Sequence, residues 1–187
     1  MKIKLVSLGL LVLTLLAAFS STVAKADSWQ EYRAADNSFA VDVPAPFSVS
    51  AIQVVLPMGP VTAPLFSQRE GGNAYFVSYV DLPGNYLATT SQARVLESGI
   101  ASVLISQSAM LESQSDLQVP GIPGKEFTGT LHGSNTNGQD AVMHARVYLV
   151  NGRLYQVYVT GVASDGNSAS ATRYLDSFHI LNQVAQR

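Results

Sequence analysis

The sequence contains no cysteine and few charges, since Asp, Glu, Lys and Arg make up only 13% of its 187 residues. Without cysteine the chain cannot use a disulfide framework, a thiol nucleophile, an iron–sulfur cluster or a lipid-modified cysteine. Its basic residues are scattered, and no run of them could follow a phosphate backbone, so nucleic acid is not an expected partner. A long apolar run occurs only near the start of the chain.

That first segment has the pattern of an export signal. Two lysines precede an apolar run over residues 5–19, and Ala24 and Ala26 place small residues at both positions that determine cleavage. The run is shorter than the ~20 residues that span a bilayer, although an uncleaved anchor is the alternative interpretation. The pattern predicts a signal peptide over residues 1–26, cut before Asp27. The product would be soluble, periplasmic or secreted, and free of a transmembrane segment, with eight basic residues against 13 acidic ones.

The hydrophobic pattern of residues 27–187 predicts one domain of the α+β class. Apolar residues at spacings of three and four predict a helix over 91–107 and another towards the end of the chain. Tight turns between consecutive strands favour an antiparallel β-sheet flanked by helices. We interpret the stretch around Glu112 and Asp116 as a polar connection between helix and strand. Strands are expected within 37–44, 48–56, 61–70, 73–81, 116–131, 141–150 and 153–161.

The clearest single feature is the hairpin around Asn151-Gly152, a dipeptide that favours a two-residue turn between strands. If the register is counted outwards from this turn, Val150 lies opposite Arg153. The next pairs on the same face are Tyr148 with Tyr155, Arg146 with Val157 and His144 with Val159, because cross-strand partners share a face. The opposite face carries mostly apolar side chains and should form core. The first face is a candidate ligand site made of His144, Arg146, Tyr148, Arg153 and Tyr155.

Two interpretations of that face are open. Its arginines could hold a carboxylate or another anion, as guanidinium groups commonly do. Alternatively, it is a partly hydrated sheet face on which tyrosine and arginine side chains cover apolar neighbours.

Other motifs of catalysis are missing from the sequence. The three histidines lie 12 and 35 residues apart, which does not match a zinc motif, so no metal and no cofactor are expected. We expect His179 near the end of the last helix. There is no Gly-x-Ser-x-Gly elbow and no glycine-rich phosphate loop.

Residues 54–66 contain no charge and raise a separate question. If the tip of this segment projects, Leu56, Met58, Val61 and Leu65 would form an apolar partner surface. If it folds back, the segment is an inner hairpin of the sheet, with prolines that protect a strand edge.

Several stretches together resemble the layout of PsbP-like proteins: "FAVDVPAPF", "VPGIPGKEFTG", "NGRLYQVYVTG" and "ATRYLDSFHIL". The last contains Tyr174, Leu175, Ser177 and Phe178 at the positions of a family motif. The resemblance implies an α/β/α sandwich and a non-catalytic accessory or assembly function, in some members with a divalent ion. No metal ligand of the family can be matched to a residue of this chain.

These observations favour an exported, non-enzymatic binding or assembly-accessory protein, whose partner is an envelope protein or a small anionic ligand. The alternative is a small extracytoplasmic hydrolase, or a carrier of anions or small molecules, that uses His144, Arg146, Tyr148 and Tyr155.

Overall fold

The structure, a computed structural model, describes residues 29–133, 138–162 and 169–181. The helices in this part of the chain are α1 (Gly84–Thr89), α2 (Gln92–Gln107) and α3 (Ala169–Ser177). The strands are β1 (Gln30–Arg33), β2 (Phe39–Val43), β3 (Ser48–Leu56), β4 (Gly59–Glu70), β5 (Asn73–Asp81), β6 (Met110–Asp116), β7 (Gly124–Leu131), β8 (Ala141–Val150), β9 (Arg153–Val162) and β10 (His179–Ile180). Residues 1–26, the expected signal peptide, lie outside the described residues.

The strands form two antiparallel sheets. The large sheet has seven strands in the order β3-β4-β5-β9-β8-β7-β6, and the small sheet has the order β1-β2-β10. All pairs are antiparallel. The predicted α+β class with an antiparallel sheet flanked by helices is therefore confirmed.

Helix α2 covers one face of the large sheet. Ser91 caps its first turn by accepting a hydrogen bond from the backbone N–H of Arg94. Gly99 allows α2 to lie close to β9 of the large sheet, because a Cβ at this position would lie 3.1 Å from a methyl carbon of Leu154. The buried amide of Gln156 donates a hydrogen bond to the carbonyl of Gly99 at 3.0 Å, which explains a polar residue in this core.

The small sheet and α3 cover the other face of the large sheet and enclose a second core rich in aromatic rings. Phe39 stacks on Phe178 with ring centroids 5.6 Å apart, and Phe66 meets Phe39 edge to face at 5.3 Å. Because elements pack against each face of the large sheet, the molecule is a three-layered sandwich.

Four elements differ from the sequence-based expectations. The stretch that contains Glu112 and Asp116 is strand β6; all seven of its residues are exposed, so it shows no alternation of apolar and polar residues. Strand β1 and helix α1 are short and were not predicted. His179 lies in β10 rather than in the last helix, because β10 pairs with β2 directly after α3 ends.

Candidate functional site

The hairpin of β8 and β9 has the register that the sequence predicted. Val150 pairs with Arg153, Tyr148 with Tyr155 and His144 with Val159. Asn151 and Gly152 have positive φ angles of 51° and 81°, as a tight hairpin turn of this kind requires.

The two tyrosines of the candidate site belong to the aromatic core. Tyr148 is 5% exposed and Tyr155 is 4% exposed. The ring of Phe178 stacks on Tyr148 at 5.3 Å and meets Tyr155 edge to face at 6.0 Å. Burial raises the pKa of both phenols above the ordinary value of 10.0. Both side chains therefore contribute first to packing between the layers.

The guanidinium of Arg146 donates hydrogen bonds to three acceptors of its own chain. Its Nε donates to Oε2 of Glu126 at 2.7 Å, and its two terminal nitrogens donate at 2.8 Å to the carbonyl of Leu175 and to Oδ1 of Asp176. Burial by itself would lower the pKa of Arg146, but the hydrogen bonds to Glu126 and Asp176 raise the pKa above that of an ordinary arginine. The side chain joins β7 and the carboxyl end of α3 through β8.

Arg153 makes a similar connection at the other end of the hairpin. Its Nε and Nη2 donate to the two carboxylate oxygens of Asp81 at 2.5 and 2.9 Å, and Nη1 donates to Asp36 at 2.8 Å. The guanidinium carbon also lies 4.1 Å from the ring centroid of Tyr79. The hydrogen bonds to Asp81 raise the pKa of Arg153 above the ordinary value. Asp81 ends β5 of the large sheet and Asp36 precedes β2, so Arg153 ties the two layers together.

Asp36 is the most strongly perturbed carboxylate near this face. Burial by itself would raise its pKa, but hydrogen bonds from Ser38 and Arg153 outweigh this and lower the pKa to about 2. The phenol of Tyr79 also donates to Asp36, at 3.2 Å.

The structure divides the candidate residues between two clefts. His144 and Arg146 line a cleft of about 240 Å³ beside α3, together with Glu126, Thr172 and Asp176. Arg153 and Tyr155 line a different cleft, of about 410 Å³, whose other polar residues include Ser38 and Asn151. Tyr148 lines neither cleft.

The sequence-based reasoning missed four carboxylates, which are the arginine partners Asp36, Asp81, Glu126 and Asp176. They come from four different elements or connections, and nothing in their local sequence marks them. Two of them lie directly opposite an arginine in a strand pair: Glu126 is opposite Arg146 in the register of β7 and β8, and Asp81 is opposite Arg153 in that of β5 and β9.

The predicted partner surface is mostly covered. Leu56 is 4% exposed, and Val61 and Leu65 pack against the same core below α2. Met58, in the turn between β3 and β4, is 41% exposed. The segment folds back as a hairpin of the sheet whose tip presents Met58.

The described residues offer no obvious ligand set for a metal. No group of three or more His, Asp or Glu side chains in this part of the chain could hold a metal ion. His132 pairs with Asp140 at 3.0 Å, and Nδ1 of His179 lies 2.9 Å from the carbonyl of Ser177. Among the same residues, no helix is long and apolar enough to cross a membrane.

Comparison with known proteins gives one informative similarity. No family model matches the chain, and no curated protein does. The solution structure of cyanobacterial PsbP from Synechocystis aligns with a TM-score of 0.55 and 15% identity, over 86% of this chain and 97% of that one. The fold is PsbP-like. A protein of unknown function from Pseudomonas aeruginosa aligns with a TM-score of 0.39 and 13% identity, over 73% of this chain and 85% of that one, which is too weak to add to the PsbP-like assignment.

Proposed function

We propose that this protein is exported by cleavage of residues 1–26 and acts outside the cytoplasm as a non-enzymatic binding or assembly-accessory module. The observation that carries the proposal is that Arg146 and Arg153 each bind two carboxylates of their own chain. Guanidinium groups engaged in this way stabilise the contact between layers, and an incoming anion would have to displace them. The PsbP-like fold agrees with an accessory function.

A partner protein is the expected ligand, and Met58 at the tip of the β3–β4 hairpin is a suitable contact residue. Amine-reactive crosslinkers suit this chain poorly, because Lys125 is the only lysine after residue 25 and its ammonium group binds Asp116 at 2.9 Å. We therefore suggest a photo-reactive amino acid introduced at position 58 in intact cells. The matched control is the same group at Glu97, an exposed position on α2.

A reproducible crosslinked protein from position 58, absent from position 97, would support the proposal. No crosslinked protein from either position, together with turnover of a small substrate by the purified protein, would refute it.

A second function, a small hydrolase or a carrier of anions or small molecules, is favoured by one observation. His144 lines a cleft with Thr172, and the ion pairs at this cleft, which Arg146 forms with Glu126 and Asp176, do not include His144. The test is His144→Ala combined with Thr172→Val, which leaves the buried tyrosines and Arg146 in place. Loss of turnover or of ligand binding in this variant, without loss of thermal stability, would establish the second function. Binding without turnover would identify a carrier.

A further inference from the structure

The large sheet has three stretches of open strand edge that are at least six residues long in the described part of the chain. Strands β3 and β6 are its two outermost strands. The first part of β4, residues 59–64, does not pair with β5, because the pairing of these two strands begins at Leu65. Open edges expose backbone N–H and C=O groups to which another strand can bind, and proteins usually protect them with proline, charge or a bulge.

Two of these three stretches carry such protection. Pro60 and Pro64 lie in the open part of β4. Strand β6 contains Glu112 and Asp116, and its register with β7 shifts between Leu111 and Ser113.

Strand β3 has none of these features. Its nine residues include no proline and no charged residue, and its register with β4 is regular from Ser48 to Leu56. Four alternate residues on one face of the strand are exposed, and two of them are the valines Val49, at 60%, and Val55, at 51%. The other two are Ala51 and Gln53.

The backbone groups of these same residues point towards the open edge. In an antiparallel pair, every second residue pair exchanges hydrogen bonds. Val55 pairs with Pro60 and Ala51 pairs with Pro64, and neither proline has an N–H group to donate. These must be the pairs without hydrogen bonds, so the N–H and C=O groups of Ala51 and Val55 face away from β4.

We infer that β3 pairs with β3 of a second copy of this chain, antiparallel and around a twofold axis at Ile52. This inference is based on the open edge of β3, which is regular and uncharged. It is also based on the two exposed valines of β3, which lie symmetrically about Ile52. Such pairing would bring Val49 of each copy directly opposite Val55 of the other, and would extend the sheet across both copies.

Charge also favours a second copy of this chain as the partner that pairs with the open edge of β3. Residues 43–68 contain no charged residue, whereas the chain as a whole is acidic. Two identical copies can therefore meet at β3 without repulsion. Self-pairing at β6 would bring Glu112 and Asp116 of both copies together, which like-charge repulsion disfavours.

The test is sedimentation velocity over a range of concentrations, with the protein purified from the cell fraction in which it accumulates. Val49→Lys/Val55→Lys places lysine opposite lysine at the interface, and we expect a monomer. Val49→Lys/Val55→Glu places lysine opposite glutamate twice, and we expect the dimer to return. Met110→Lys/Leu111→Lys, on exposed residues of β6, is the matched control and should remain a dimer.

Thermal unfolding by circular dichroism verifies that all variants are folded. Amide hydrogen exchange gives a second measurement: the N–H groups of Ala51 and Gln53 should exchange more slowly as the protein concentration rises. A monomeric wild-type protein, or a dimer that survives the double lysine substitution, would overturn the inference. A mixed-charge variant that stays monomeric would overturn pairing around Ile52.

Discussion

Arg153 and Asp81 lie opposite each other in the register of β9 and β5, and the guanidinium donates hydrogen bonds to both carboxylate oxygens, at 2.5 and 2.9 Å. The same guanidinium binds Asp36, which precedes the small sheet. One side chain thus fixes the position of the small sheet on the large one. At the other end of the hairpin, Arg146 does the same for α3.

The first prediction concerns the contribution of Arg153 to stability. Its side chain is 22% exposed and binds two carboxylates, so Arg153→Ala should lower the free energy of unfolding by about 2 kcal/mol. Arg33→Ala is the control, since Arg33 binds Glu31 at the surface and its loss should change stability by about 0.5 kcal/mol or less. Urea unfolding of both variants measures the difference. Equal effects would contradict a structural role for Arg153.

The second prediction concerns acid stability. The folded pKa of Asp36 is about 2, below its ordinary value of 3.8. A carboxyl with a lowered folded pKa stabilises the native state above the unfolded value, and this stabilisation is lost as the pH falls from 3.8 towards 2. In Asp36→Asn the free energy of unfolding should therefore depend less on pH in this window.

Unfolding of wild type and Asp36→Asn at a series of acidic pH values measures that slope. Glu97→Gln is the control, because Glu97 is exposed on α2 and forms no ion pair among the described residues. Identical slopes for wild type and Asp36→Asn would show that Asp36 does not contribute.

The third prediction concerns the attachment of β6 to the sheet. A Cβ on Gly129 would lie 2.9 Å from the backbone carbonyl oxygen of Met110, and a backbone atom cannot move aside without shifting β6. Gly129→Ala should therefore destabilise the protein by about 1–3 kcal/mol. Gly84→Ala is the control, because a Cβ there meets nothing within 4 Å, and thermal unfolding compares the two. An unchanged melting temperature for Gly129→Ala would contradict the close packing of β6.

The fourth prediction concerns export. The amino terminus of the protein recovered from the extracytoplasmic fraction should be Asp27, as read by N-terminal sequencing or intact mass. Ala24→Leu/Ala26→Leu should block cleavage, because the peptidase requires small residues at these positions. Lys25→Ala, between them, should be cleaved normally. An intact chain that begins at Met1 in that fraction would contradict the proposed export signal.

The sequence predicted the elements whose geometry is set locally. Asn151-Gly152 determines the turn, and the period of two then determines which side chains of β8 and β9 share a face. The spacing of apolar residues over 91–107 likewise predicts α2. Strand β6 was missed because all of its residues are exposed, so its side chains carry no periodic signal.

The partners of the arginines could not be predicted, because they depend on pairings between distant parts of the chain. Asp81 meets Arg153 through the pairing of β5 with β9, and Asp176 meets Arg146 only after α3 packs on the sheet. No turn or spacing in the sequence determines these contacts. For the same reason the sequence suggested one site, whereas the structure divides its residues between two clefts.

The most direct test of this account is whether the arginine groups of the hairpin are available to an anion. The Nε–H signals of Arg146 and Arg153 can be followed by nuclear magnetic resonance while acetate or phosphate is added to the folded protein. Because both groups are bound to carboxylates of their own chain, we expect both signals to stay unchanged. A saturable shift of either signal would contradict the account and would identify the hairpin face as an anion receptor.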